Sequence, residues 1–174
     1  LHSTSRRQRQ MCIRDRSSRI KDTMNRIGLG KLTYLGIALK QLITARKVSC
    51  TLTLEDTVHD KKESVELPRF LFVTCMSHRY EGGGFMFCPP AVDHDGVLDL
   101  CSVGNISKGL VLLALPTAFF GKHYFVKGIN AHTATQMSIT ASAPLWVHTD
   151  GEVTRKSRGF RVECLPGAIR MITP

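Results

Sequence analysis

Three short stretches carry residue types that can do chemistry. In LWVHTDGEVTRK, Leu145 to Lys156, the acids Asp150 and Glu152 flank Gly151 between segments that alternate like strands. Asp-Gly is a strong hairpin signal, because both central residues of the favoured turn need positive φ. Such a turn also holds a carboxylate rigidly at a strand end, within reach of an incoming hydroxyl. The residues alone leave a plain hairpin and an active-site carboxylate both open.

The other two lie in HRYEGGGFMFCPPAVDHDGVLDL, residues 78–100. Gly82-Gly83-Gly84 directly after a strand is costly unless the backbone turns sharply or something approaches it closely. No Gly-Lys-Ser/Thr follows, so this is not a Walker loop. Asp95-Gly96 comes next, flanked by Asp93 and followed by Asp99. Hard oxygens gathered in so short a loop can hold Mg²⁺, which takes one or two carboxylates, carbonyls and retained waters. The simpler reading is an Asp-Gly turn with solvated acids, and the spacing lacks the twelve-residue calcium-loop pattern with its terminal Glu.

The elements that must position these groups are legible from periodicity. With 174 residues the chain makes one domain, or one and a fragment, able to bury a sizeable core. A hydrophobic share of 43% and a charged share of 22% are those of an ordinary globular protein. The formal charge of +10 suggests nucleic acid until it is located. Arg6, Arg7, Arg9, Arg14, Arg16 and Arg19 against Asp15 supply half of it, with no interleaved aromatics for base stacking. Residues 1–20 are therefore set apart as a disordered or non-native tail. The text RRQRQMCIRDR resembles translated sequencing adapter, and no apolar stretch follows to make a signal peptide.

KLTYLGIALKQLITARK predicts an amphipathic helix over Lys31–Ala45, and VSCTLTLED then switches to strand alternation. VHDKKESV reads as a charged turn, RFLFVTCMS as a central strand and VLDLCSV as another. NISKGLVLLALPTAFFG predicts a helix opened near Asn105 or Ser107, kinked or split at Pro116 and closed by Gly121. ATQMSITAS, LWVHT, GFRVECL and AIRMIT follow as short strands. The expectation is a β-rich α+β domain of two packed sheets, with one leading and one inserted helix. Six cysteines without a C-x-x-C pair indicate neither zinc nor a disulfide framework and read as small buried hydrophobes in a reducing compartment. The longest apolar run, Leu110 to Phe120, is too short to span a bilayer.

Taken in order, EGGGF…CPPAVDHDGVLDL, LALPTAFFGKH and TDGE, with GKLTY before and GFRVECLPGAIRMI after, resemble the C-terminal half of the diacylglycerol kinase and sphingosine kinase superfamily. The likeness is nearest to the bacterial lipid kinases and covers roughly residues 21–174. Ser77 departs from the pattern, since many relatives carry Asn shortly before the glycines. The resemblance implies an antiparallel β-sandwich-like C-terminal domain of an ATP-dependent kinase that phosphorylates a lipid hydroxyl, diacylglycerol by default. It implies an N-terminal α/β nucleotide domain with a Gly-Gly-Asp-Gly motif. That motif is absent from these residues, so the chain is expected to start after that domain and to be inactive alone. A non-catalytic β-rich module binding lipid or protein is the alternative.

Carried over by position, Glu152 is the general base. Gly83, Gly84 and Asp150 are the cofactor-binding candidates, with Asp150 orienting the turn or the water network of the metal. Mg²⁺ is held by Asp95 with the backbone carbonyls of Val92 and Val97. The implied setting is cytoplasmic and peripheral to a membrane, with a lipid alcohol as partner, no nucleic acid, and a homodimer left open. Other residues invite blander readings: His123 as a helix C-terminal cation, Trp146 as core, and Arg155, Lys156 and Arg158 as a solvated turn or a face for anionic headgroups.

Overall fold

The computed structural model describes residues 9–11, 44–81, 84–149 and 152–168. All but the last residues of the expected leading helix, and AIRMIT beyond Ala168, lie outside them. Among the described residues seven strands form one antiparallel sheet: β1 (Arg9–Met11), β2 (Val48–Asp56), β3 (Lys61–Met76), β4 (Leu98–Gly104), β5 (Ile129–Ala134), β6 (Gln136–Thr149) and β7 (Glu152–Glu163). The α-helix α1 (Lys108–Ala114) and two 3₁₀ turns, Leu115–Phe120 and His123–Phe125, join β4 to β5. The fold is mainly β within the α+β class, as the periodicity predicts.

The sheet is sandwich-like because β3 serves both halves. Its first part pairs with β2 and its last part, from Phe70, with β4, and the register slips between Phe70 and Phe72. Bulges of this kind bend a strand and let it turn a corner between layers. Inside the corner, Leu52, Leu54, Phe70, Val73, Leu98, Leu100, Met137, Ile139 and Val162 form the main core. Every residue of β4 is buried. Its other face packs Cys101 and Val103 against Leu71, Met76, Cys88, Ile106 and Val111, a second core beneath α1.

Ser107 caps α1, its side chain accepting from Leu110 N at 3.2 Å. Pro116, the second residue of the 3₁₀ turn, splits the helix where its ring removes a backbone donor, and Gly121 closes the turn at φ 65°.

Four expectations are corrected. The turn after β2 is only Thr57–Asp60, closed by Asp56 Oδ1 accepting from Val58 N and His59 N. Lys61–Val65 belongs to β3, because its charged side chains stay in water while its backbone pairs with β2. ATQMSITAS and LWVHT are one strand, β6, whose register with β7 shifts between Thr140 and Leu145 to pass Pro144. The segment INAHTA, too poor in large apolar residues to show as a strand, is β5 beside β4. Finally, Arg9–Met11, inside the segment set apart as a tail, pairs with both β3 and β6. It continues the line of β2, which ends its pairing at Val48–Phe70 and Cys50–Ala141, and it takes up backbone groups that β3 and β6 otherwise leave unpaired there.

Candidate functional site

The strand register brings the three sequence stretches to one end of the sheet. Arg9 lies between Cys75 of β3 and Thr149 of β6, so these strands run parallel and end together. The glycine-containing segment leaves β3 at this end. Antiparallel β4 enters here, with Met76 opposite Asp99, and β7 enters with Thr149 opposite Glu152. Glu152 is thus the first residue of β7, at the hairpin after β6. Asp150, Gly151 and Gly83 lie outside the described residues, as does the side chain of Glu152.

The described residues on either side of Gly82 and Gly83 are tied to one another. Glu81 and Phe85 form an isolated bridge, with Glu81 N donating to Phe85 O at 2.8 Å and Gly84 N to Glu81 O at 3.1 Å. Gly84 has φ 88°, and no atom lies within 4 Å of the position a Cβ would take. Glycine is therefore required here by backbone conformation rather than by crowding.

The aspartate loop is a turn that keeps its acids at the surface. Asp95 Oδ1 accepts from Val97 N at 3.1 Å, and Gly96 has φ 79°. Asp93 pairs with the His94 ring at 3.0 Å. Val92 and Val97 are half-buried and Asp95 is exposed. Four residues on, Asp99 is only 4% exposed, and its Oδ2 has no hydrogen-bond partner among the described residues. Burial, and secondarily the negative charge of Asp95, pushes its carboxyl up to about 6. Asp95 and Asp99 feel one another and Asp99 keeps an orphaned oxygen, so this end of the sheet gathers hard oxygens of the donor type that Mg²⁺ takes. Among the described residues no three His, Cys, Asp or Glu side chains gather as a metal cage, so a cation here would need backbone carbonyls or water.

Beside Asp99 a cavity of about 130 Å³ opens between Cys88, Pro90, Tyr124, Ala131 and Thr133. Its roof is tied down by Tyr124 OH donating to Phe87 O at 2.6 Å and by His123 Nε2 at 3.1 Å from the same oxygen. His123 is 2% exposed, and burial lowers its pKa, so it is a neutral core imidazole and not the helix-end cation that its position in GKHYF suggests. Trp146 is half-buried and not core, with Lys156 Nζ over its ring at 4.4 Å. Arg155, Lys156 and Arg158 lie in β7 itself rather than in a turn. Cys50, Cys75, Cys88 and Cys101 are buried and free; burial pushes the Cys50, Cys75 and Cys101 thiols up to about 12 and that of Cys88 higher still, so none is a nucleophile at neutral pH.

Residues 14–173 match the model of the YegS C-terminal NAD kinase beta sandwich-like domain. The chain belongs to this family. It is 30% identical over 148 residues to a protein of Xanthomonas campestris named "Probable lipid kinase YegS-like", covering 84% of this chain and 45% of the relative. It is 24% identical over 159 residues to a diacylglycerol kinase of Mycobacterium tuberculosis, covering 90% and 49%. The crystal structure of a diacylglycerol kinase from Bacillus anthracis superposes with a TM-score of 0.58 at 21% identity, covering 92% of this chain and 50% of that one. The chain thus spans about half the length of these relatives.

The YegS-type domain match begins at residue 14, inside the segment set apart as a tail. Asp99, counted with Asp93 and Asp95 among the hard oxygens of this stretch, was not among the ligands carried over to Mg²⁺, and the structure is what sets it apart. The sequence signal for this was an acid at an alternating position in VLDLCSV, where the flanking leucines point into the main core.

Proposed function

We propose that this YegS-type domain is the C-terminal part of an ATP-dependent lipid kinase, acting at the cytoplasmic face of a membrane and converting diacylglycerol to phosphatidic acid. The observation that carries the reading is the convergence of the glycine stretch, the Asp95 loop and the Glu152 hairpin at one end of the sheet. The family membership and the names of the relatives support it.

Glu152 is the group that takes the proton from the lipid hydroxyl as its oxygen attacks the γ-phosphate. At the first residue of β7, its Cα is fixed by the pairing with Thr149. A base held by a strand end loses little orientation on binding substrate. Asp150 is assigned to orienting the turn before β7, and Gly84, with φ 88° and no Cβ, lets phosphate oxygens come close to main-chain N–H groups, a role we extend to Gly83. Asp95 with the carbonyls of Val92 and Val97 would hold Mg²⁺, whose positive charge would steady a loop otherwise crowded with acids. ATP is bound mainly by a nucleotide domain, since these 174 residues contain no Gly-Gly-Asp-Gly stretch.

The test joins this chain to the nucleotide domain of a family relative and follows phosphate transfer from ATP to diacylglycerol in mixed micelles. The joined protein should turn over and the 174-residue chain alone should not. Glu152→Gln in the joined protein should lower kcat by roughly 10²–10⁴ with unchanged folding stability, the usual worth of general-base help. Turnover by the Gln variant within a few-fold of its parent would return Glu152 to the role of a hairpin end. A joined protein that binds diacylglycerol but never phosphorylates it would favour a non-catalytic binding module.

A further inference from the structure

The apolar surface that the cores leave uncovered is concentrated in one segment. Of the large hydrophobic side chains exposed among the described residues, Leu110, Leu112 and Leu113 lie on α1, and Phe119, Phe120 and Phe125 lie on the two 3₁₀ turns that follow. Leu113 is 74% exposed, Phe120 75% and Phe125 88%. The helix needs only Val111 and Ala114 to dock on the sheet. Leu110, Leu112 and Leu113 belong to neither core cluster. A contiguous stretch of this kind marks an interaction surface.

The charge around it says what kind. Lys108, Lys122 and Lys127 are interleaved with these residues, and no aspartate or glutamate occurs between Asp99 and Asp150. The surface is therefore apolar and cationic together. Protein interfaces deplete lysine from their apolar centres. An interfacial membrane segment instead combines aromatic and leucine side chains with lysines whose stems run along the apolar layer while the ammonium meets lipid phosphates.

We infer that α1 and the two 3₁₀ turns, residues 108–127, are a docking surface for an anionic lipid bilayer. Leu113, Phe120 and Phe125 enter the acyl boundary, and Lys108, Lys122 and Lys127 lie at headgroup level. The surface lies on the outer face of β3–β5, against the second core, so it can enter a bilayer without disturbing the main core. The inference deepens the lipid-kinase reading by assigning the face that meets the membrane. Its readout is binding and not turnover, so either can fail without the other.

The experiment is co-sedimentation of the full 174-residue chain with sucrose-loaded vesicles of phosphatidylcholine, with and without 30 mol% phosphatidylglycerol, roughly at physiological salt. Binding to the anionic vesicles should exceed that to neutral ones by at least about tenfold, and should weaken as salt rises. Phe120→Glu with Phe125→Glu should lower binding at least about tenfold, since both side chains are already in water in the free protein and the substitution leaves the fold intact. The triple change Lys108→Gln, Lys122→Gln, Lys127→Gln should remove most of the anionic preference. Circular dichroism melts matching the parent establish that each variant is folded; should the double variant melt early, Phe125→Ser alone supplies the comparison. Unchanged vesicle binding in the folded Phe variants overturns the inference and transfers the binding to the arginines of residues 1–19. A parent chain that ignores anionic vesicles overturns it too. So does a parent that is dimeric in solution and made monomeric by the Phe variants, because a second copy is then the occupant.

Discussion

Asp95 and Asp99 show how two acids four residues apart come to different states. Asp95 lies in water at a turn, whereas Asp99 is buried with an orphaned oxygen and a carboxyl raised to about 6. If Asp95 anchors Mg²⁺, Asp95→Asn in the protein joined to a nucleotide domain should raise the Mg²⁺ concentration for half-maximal activity several-fold, while Asp93→Asn changes it little. Titrating Mg²⁺ in the kinase assay checks this, and equal, negligible shifts at both positions would return the loop to a plain turn. His123 supplies a pH dependence with a definite sign. Burial lowers its pKa below the ordinary 6.5, and His132 is shifted the same way by the same cause. Below that value an unfolded chain takes up protons that the folded chain refuses, so stability is fully present above about 6.5 and is lost as pH falls. His123→Gln keeps a donor for Phe87 O but cannot titrate. Urea melts at pH 7 and pH 5 should show a smaller loss of stability for the variant than for the parent. An identical loss in both would show that His123 does not carry the effect.

At the scale of elements, the connection from β4 to β5 depends on one glycine. Gly121 has φ 65°, and a Cβ there would lie 2.8 Å from Pro89 Cγ and 2.9 Å from Met86 Sδ. The proline ring cannot yield as a flexible chain end can, and the left-handed backbone adds its own strain. Gly121→Ala should cost roughly 2 kcal/mol, measured as a lower urea midpoint with an unchanged slope. Gly109, with nothing within 4 Å of its Cβ position, is the control, and its alanine variant should be neutral or slightly stabilising. The element was legible as a helix broken at Pro116, because a missing donor is a local fact. That its outer leucines remain uncovered was not legible, since a helical stripe of apolar residues reads the same whether it faces a core or water.

For the whole molecule, the sheet is held together where strands change partners. Arg9–Met11 fills the slot between β3 and β6 beyond the start of β2. Deleting residues 1–11 should therefore lower unfolding free energy by about 1 kcal/mol or more, because backbone groups at Val73–Cys75 and at His148 and Thr149 lose a strand partner. A deletion variant whose denaturant midpoint stays within about 0.5 kcal/mol of the parent would show that the strand adds nothing, as the arginine-rich, aperiodic composition suggests.

The sequence by itself determined the β-rich character and several of the strands, the split helix, and the three stretches able to do chemistry. Alternation, Pro116 and Asp-Gly turns are properties of neighbouring residues. VSCTLTLED matches β2 end to end, and VLDLCSV matches β4 to within a residue. Only the tertiary structure decided that β3 turns a corner at Phe70, that His123 is neutral and enclosed, and that Asp99 is buried with an unpaired oxygen. It also decided that Glu152 and the Asp95 loop stand at the same end of one sheet. These depend on which strands pair across more than fifty residues of chain, as Cys75 and Thr149 do through Arg9. Registers of that range follow from the fit of whole faces, which no local window of sequence contains.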